Sequence, residues 1–184
     1  TNTDAGRDID KLTTMVDEQA ADVSTRMQSS FDQRISITFL PRLLGHGGFA
    51  TNGIYVTYMD GDIAGNITSQ VIHHEMVHIL DANLGGEMRP AMLVEGLAVY
   101  LSGGHYKIEA LLPRAAALLE LNKFIPLKTL ANDFYNQQHE IGYLEAGALI
   151  EYMVDKYGWE AYQAFYRNIP NLDSQANSLD TALI

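Results

Sequence analysis

"VIHHEMVHIL", residues 71–80, sets three histidines and a glutamate among Val, Ile, Met and Leu. An imidazole or carboxylate taken out of water without a partner costs several kcal/mol, so this stretch must supply its own compensation. Apolar residues Ile67, Val71, Ile72, Met76, Ile79 and Leu80 recur without an internal Gly or Pro, which predicts a buried helix over about 67–82 with "NLGG" as its stop. Within it His74, Glu75 and His78 form H-E-x-x-H. Positions four apart on a helix lie one turn above each other on the same face, so the two imidazoles can converge on one ion.

Zinc suits a pair of imidazoles, and a catalytic zinc takes three protein ligands and keeps its fourth position for water. The third ligand is expected from the helix that begins at Pro90 and runs through "AMLVEGLAVYL" to Gly103 and Gly104. An antiparallel return of that helix swings Glu95 towards the two histidines. Two neutral imidazoles and one carboxylate leave net positive charge on the site, enough to bring a bound water towards a pKa of about 7. Glu75, rotated about 100° around the helix from His74, is placed to act as general base on that water. His73 points about 100° away from His74 and is read as a structural or solvent-facing residue rather than a ligand. Asp81 could accept the free N–H of a ligand imidazole, but an acid near a helix end reads more simply as solvated.

Around this helix, Ile9, Leu12, Val16, Ala20, Val23, Met27 and Phe31 predict an amphipathic helix over about 7–30. "RISITFLP" and "GIYVTYM" read as strands separated by the glycine-rich "GHGGFATNG", with "DGDIAGN" as a turn after them. Beyond residue 86 the expectation is helical throughout: "KIEALLPRAAALLELN" with a proline near its middle, "HEIGYLEAGALIEYMVDKYG" and "WEAYQAFYRNI". His46 and His105 sit in glycine-flanked loops and carry no usable pattern. The whole is expected to be one domain, α+β and mainly helical with a small mixed sheet, its sub-halves about 1–85 and 86–184. The closing "NSLDTALI" reads as the first turns of a helix, as in a fragment of a longer or processed product.

Composition narrows the function. The formal charge of −11 disfavours nucleic acid and anionic lipid as partners. Cysteine is absent, so any metal chemistry must use His and carboxylates. There is no run of 18 apolar residues, and hence no expectation of membrane insertion. A cysteine-free chain with such a site is compatible with a secreted, periplasmic or cell-surface location.

His74-Glu75-x-x-His78 followed by Glu95-Gly96-x-Ala98 resembles the gluzincin metallopeptidases. "ISITFLPR", "LVEGLAVYL" and "YLEAGALIEYMVDKYG" resemble the peptidase-MA-like domains of uncharacterised bacterial proteins, over about residues 35–160. The resemblance implies a zincin-like fold with the active-site cleft between a sheet-containing half and a helical half. It also implies one Zn2+ ion on His74, His78 and Glu95, and hydrolysis of a peptide or protein substrate, with endopeptidase favoured over aminopeptidase because no Gly-x-Met-x-Asn segment is evident. A Tyr or His from the helical half is implied as donor to the oxyanion: Tyr143 is the candidate and His139, one turn earlier, the alternative. Gluzincins usually present an antiparallel edge strand beside the zinc helix, and "GIYVTYM" is the expected one. Three other readings stay open: a non-catalytic gluzincin-like module that binds metal or a partner, a zinc hydrolase of a non-peptide amide or ester, and a helical interaction protein with coincidental histidines.

Overall fold

β-Branched and aromatic residues on either side of a glycine-rich stretch assemble a three-stranded mixed sheet in the computed structural model, which describes residues 4–41, 47–58, 67–84, 89–105, 107 and 109–169. Strand β1 (Ile37–Leu40) pairs in parallel with β3 (Ile54–Thr57), and β2 (Gly48–Ala50) pairs antiparallel with β3 on its other side. The order is therefore β1-β3-β2. Ile54 and Val56 point to one side of β3 and are fully buried, as period-two alternation requires. "GIYVTYM" is consequently the central strand and not the expected edge. Among the described residues β2 stands at an edge of the sheet, three residues inside the segment read from sequence as a loop.

By its internal packing the chain divides into two units, residues 1–80 with 106–108, and residues 81–105 with 109–184. In the first, helix α1 (Ile9–Met27) buries Leu12, Val23 and Met27, and ends at Gln28 in the left-handed region (φ 51°), whose N–H closes on the carbonyls of the last turn. Helix α2 (Thr68–Asp81) buries Val71, Ile72, Met76, Val77 and Leu80. Gly48 marks where β2 runs close to α2: a Cβ there would stand 2.8 Å from Val71 Cγ1 and 3.5 Å from Glu75 Cγ. A larger residue would push the strand off the helix.

The second unit is helical among its described residues. Helix α3 (Ala91–Leu101) packs along α6 (His139–Tyr157) at very close range, because Gly96 and Gly147 remove the side chains that would hold the backbones apart. Helix α4 (Leu111–Glu120) and α7 (Trp159–Asn168) pack on the same α6, and the short α5 (Leu127–Asn132) buries Leu130. Pro113 lies in the first turn of α4 rather than mid-helix, since residues 109–110 stay outside it; a proline is tolerated there because its missing N–H would have no partner in any case. Gly158, at φ 86°, separates α6 from α7 and spares an L side chain a strained conformation.

Arg89 anchors the segment before α3. Its guanidinium donates to the carbonyls of Tyr166 and Leu84 and lies 4.2 Å from the centre of the Tyr166 ring. No helix among the described residues is long and apolar enough to cross a membrane. The expected turn "DGDIAGN", Gly85 and Gly86 of the α2 stop signal, His46 and the closing "NSLDTALI" lie outside the described residues.

Candidate metal centre

One turn of α2 separates His74 from His78, and their rings meet edge to face with centroids 4.8 Å apart. Glu75, between them in sequence, is buried at 5% exposure. A buried carboxylate beside two imidazoles is costly unless charge or hydrogen bonding compensates it, and it is arranged here by a helix whose neighbouring positions are Val, Ile and Met. Glu95 is placed by α3 and is also nearly buried, at 9% exposure. The Tyr135 hydroxyl donates to Glu95 Oε1 at 3.0 Å. Burial first, then the Glu95 charge and this hydrogen bond, raise the Tyr135 phenol above its ordinary value, so it stays a donor throughout the neutral range.

His74 and His78 each offer one ring nitrogen from the same helix α2, and Glu95 on α3 offers a carboxylate oxygen. Two nitrogens and one carboxylate oxygen are the donor set that zinc prefers in catalytic sites, so the residues present fit that ion. No family model, curated protein or solved structure matches the chain. The chemistry of these side chains therefore carries the functional reading by itself.

His73 is buried, and its Nδ1–H donates to Gln19 Oε1 at 3.0 Å, fastening α2 to α1. Burial, helped by the nearby Arg26, lowers its pKa to about 4 against the opposing pull of Asp22, so the ring is neutral at physiological pH. The structural half of the expectation for His73 holds and the solvent-facing half does not. Asp81 corrects a second expectation: it is buried, not solvated. Burial first, and then the Asp81 charge, hold the phenols of Tyr162 and Tyr166 well above their ordinary value. The misreading came from taking the end of α2 as the end of burial, whereas α7 brings two tyrosines against it.

Tyr143, the sequence candidate for oxyanion donor, lies in an aromatic group, stacked on His105 at 4.5 Å, tilted against His139 at 4.3 Å and against Phe134 at 5.0 Å between ring centres. Its ring also packs on the core formed by Val99, Leu111, Leu144 and Ala148. His139 approaches His105 and Glu140, at the start of α6. Sequence reasoning missed Tyr135. "NDFYNQQHE" has no periodicity, and one tyrosine of ten carries no signal until the 3-10 turn Phe134–Asn136 is seen to aim its hydroxyl at Glu95.

Tyr135→Phe isolates that hydroxyl. A carboxylate hydrogen-bonded on one oxygen presents the other to a cation with its rotation restricted, and partners of this kind contribute about 10–100-fold in metal affinity. The expected result is zinc affinity weakened within that range with unchanged thermal stability of the metal-free protein, read by competition with a chromophoric chelator. An unaltered affinity would assign Tyr135 no part in holding Glu95.

Proposed function

We propose that the protein is a zinc-dependent hydrolase of peptide bonds, a gluzincin-type metallopeptidase of zincin-like fold, in which His74, His78 and Glu95 hold one Zn2+ ion. The observation that carries this reading is the pair of His74 and His78 rings one turn apart on α2, 4.8 Å between centres, with the buried Glu75 on the same helix. A site meant only to hold structure needs no base beside it. When bound, zinc supplies Lewis acidity, which acidifies a water and polarises the scissile carbonyl.

Glu75 takes the proton from the attacking water and delivers it to the departing amine, so that the peptide C–N bond breaks with a neutral leaving group. Tyr143 is the proposed hydrogen-bond donor to the developing oxyanion, with His139 the alternative; such a donor contributes a few kcal/mol. Strand β2, at the edge of the sheet among the described residues and close to Glu75, is the strand along which an extended substrate would lie. Endopeptidase action follows from this reading more readily than aminopeptidase action, because an added strand runs past the scissile bond on both sides.

The test is metal removal. Protein stripped with a chelator is expected to lose hydrolysis of a mixed peptide library, to regain it with one equivalent of zinc, and to show a higher unfolding temperature when reloaded, since an ion that binds only the folded chain stabilises it. His74→Ala is expected to bind no zinc in the first site and to hydrolyse nothing. Turnover that survives chelation, or an active His74→Ala variant, would overturn the proposal. Amide and ester substrates run beside the library separate a peptidase from a hydrolase of other acyl compounds.

A further inference from the structure

His105, His139 and Glu140 form a second group of ligand-type side chains, each offering one atom within 4.8 Å of the others. We propose that they bind a second transition-metal ion, of the zinc or nickel type, independently of the His74 site. His105 comes from the segment just after α3 and is 2% exposed, whereas His139 and Glu140 come from the first turn of α6. Two elements of one unit are therefore joined.

The spacing argues for an ion more than for a direct contact. His105 Nδ1 stands 3.8 Å from Glu140 Oε2, and His139 Nδ1 stands 3.9 Å from Glu140 Oε1. Both separations are too long for a hydrogen bond. Both are within the roughly 4.2 Å that two metal–ligand bonds of about 2.0–2.1 Å can span. The carboxylate thus faces two imidazole nitrogens with each of its oxygens, at distances that a shared cation would draw in.

The rings are also arranged in advance. His105 lies stacked on the half-buried Tyr143 at 4.5 Å between centres and is tilted against His139 at 5.0 Å, so neighbouring rings fix one imidazole. His139 and Glu140 are about half exposed, which leaves an entry path from solvent and freedom to close on an ion. Two imidazoles and one carboxylate select borderline metals over calcium or magnesium, which prefer all-oxygen shells. The positive end of the α6 dipole opposes a cation here, and the Glu140 charge offsets it. Affinity is accordingly expected to be lower than at the His74 site, where all three ligands are largely buried.

Titration of the metal-stripped full chain with zinc chloride near neutral pH, followed by isothermal calorimetry, tests this. The expected result is two equivalents bound, the weaker one lost in His139→Ala and in Glu140→Gln while the tighter one remains. His74→Ala is expected to lose the tighter equivalent and keep the weaker, so the two sites fail separately. Both variants of the second site change exposed residues and leave the core intact, and the His105 ring nitrogen resonances are expected to shift only with the weaker equivalent. A single equivalent in the unaltered protein, a second one indifferent to both substitutions, or His105 resonances that do not respond would each overturn the assignment; protonated histidines paired with Glu140 would give the first of these.

Discussion

Glu75→Gln is expected to leave zinc content at one equivalent in the His74 site while peptide hydrolysis falls by about 10²–10⁴-fold, the usual share of a positioned general base. Glutamine matches the shape of glutamate and keeps two polar atoms where Glu75 is buried against the β2 side of α2, so packing changes little. It cannot accept a proton from water at neutral pH. The loss should appear in kcat, with KM little altered, because the proton moves only as the transition state forms. A variant that retains full activity would remove Glu75 from the mechanism. A variant that loses its zinc as well would show that the carboxylate holds the site together electrostatically.

The second large effect concerns a glycine. Gly96→Ala places a Cβ 2.7 Å from the Ala146 carbonyl oxygen, 2.9 Å from its carbon and 3.1 Å from Ile150 Cγ1. The first two are backbone atoms of α6, which no rotamer change can move. Helix α3 must therefore back away from α6, at a cost of about 1–3 kcal/mol or more for overpacking. Chemical denaturation should show that loss as a lower midpoint with an unchanged slope. Glu95 precedes Gly96, so the displaced helix carries a proposed ligand with it, and zinc affinity is expected to fall alongside stability. Gly142→Ala, on the same α6, is the control: its nearest neighbour would be Leu130 Cδ1 at 3.4 Å. Alanine there should be neutral or stabilising by up to about 1 kcal/mol. Equal effects at the two positions would mean that helix propensity, not close approach, explains Gly96.

Helices α1, α2, α3, α6 and α7 announce themselves because each repeats apolar residues over several turns, and local geometry then dictates which residues share a face. H-E-x-x-H was legible for the same reason: both histidines lie on one helix, and their 4.8 Å ring separation follows from helical rise and twist. Strand β2 was not legible. Three residues beginning with glycine give no alternation, and only pairing with Tyr55 and its neighbours makes them a strand. That omission also misplaced the sheet edge, since β3 is central once β2 is present.

Side chains that meet across distant segments were beyond local pattern altogether. The Tyr135–Glu95 hydrogen bond, the His73–Gln19 contact and the burial of Asp81 beneath Tyr162 and Tyr166 each depend on tertiary packing. The start of α4 was misjudged because apolar periodicity begins at Ile108, whereas the helix begins at Leu111, a position that turns Pro113 from an interrupter into a first-turn residue.

An anomalous-difference map recorded at the zinc edge, from crystals of the zinc-loaded chain, measures the central claim most directly. The account predicts a peak bonded to one nitrogen each of His74 and His78 and to a Glu95 oxygen, at about 2.0–2.2 Å from each, with a further coordination position left to solvent. A map in which Glu95 points away from both imidazoles, or in which no peak lies on His74 and His78, would contradict it.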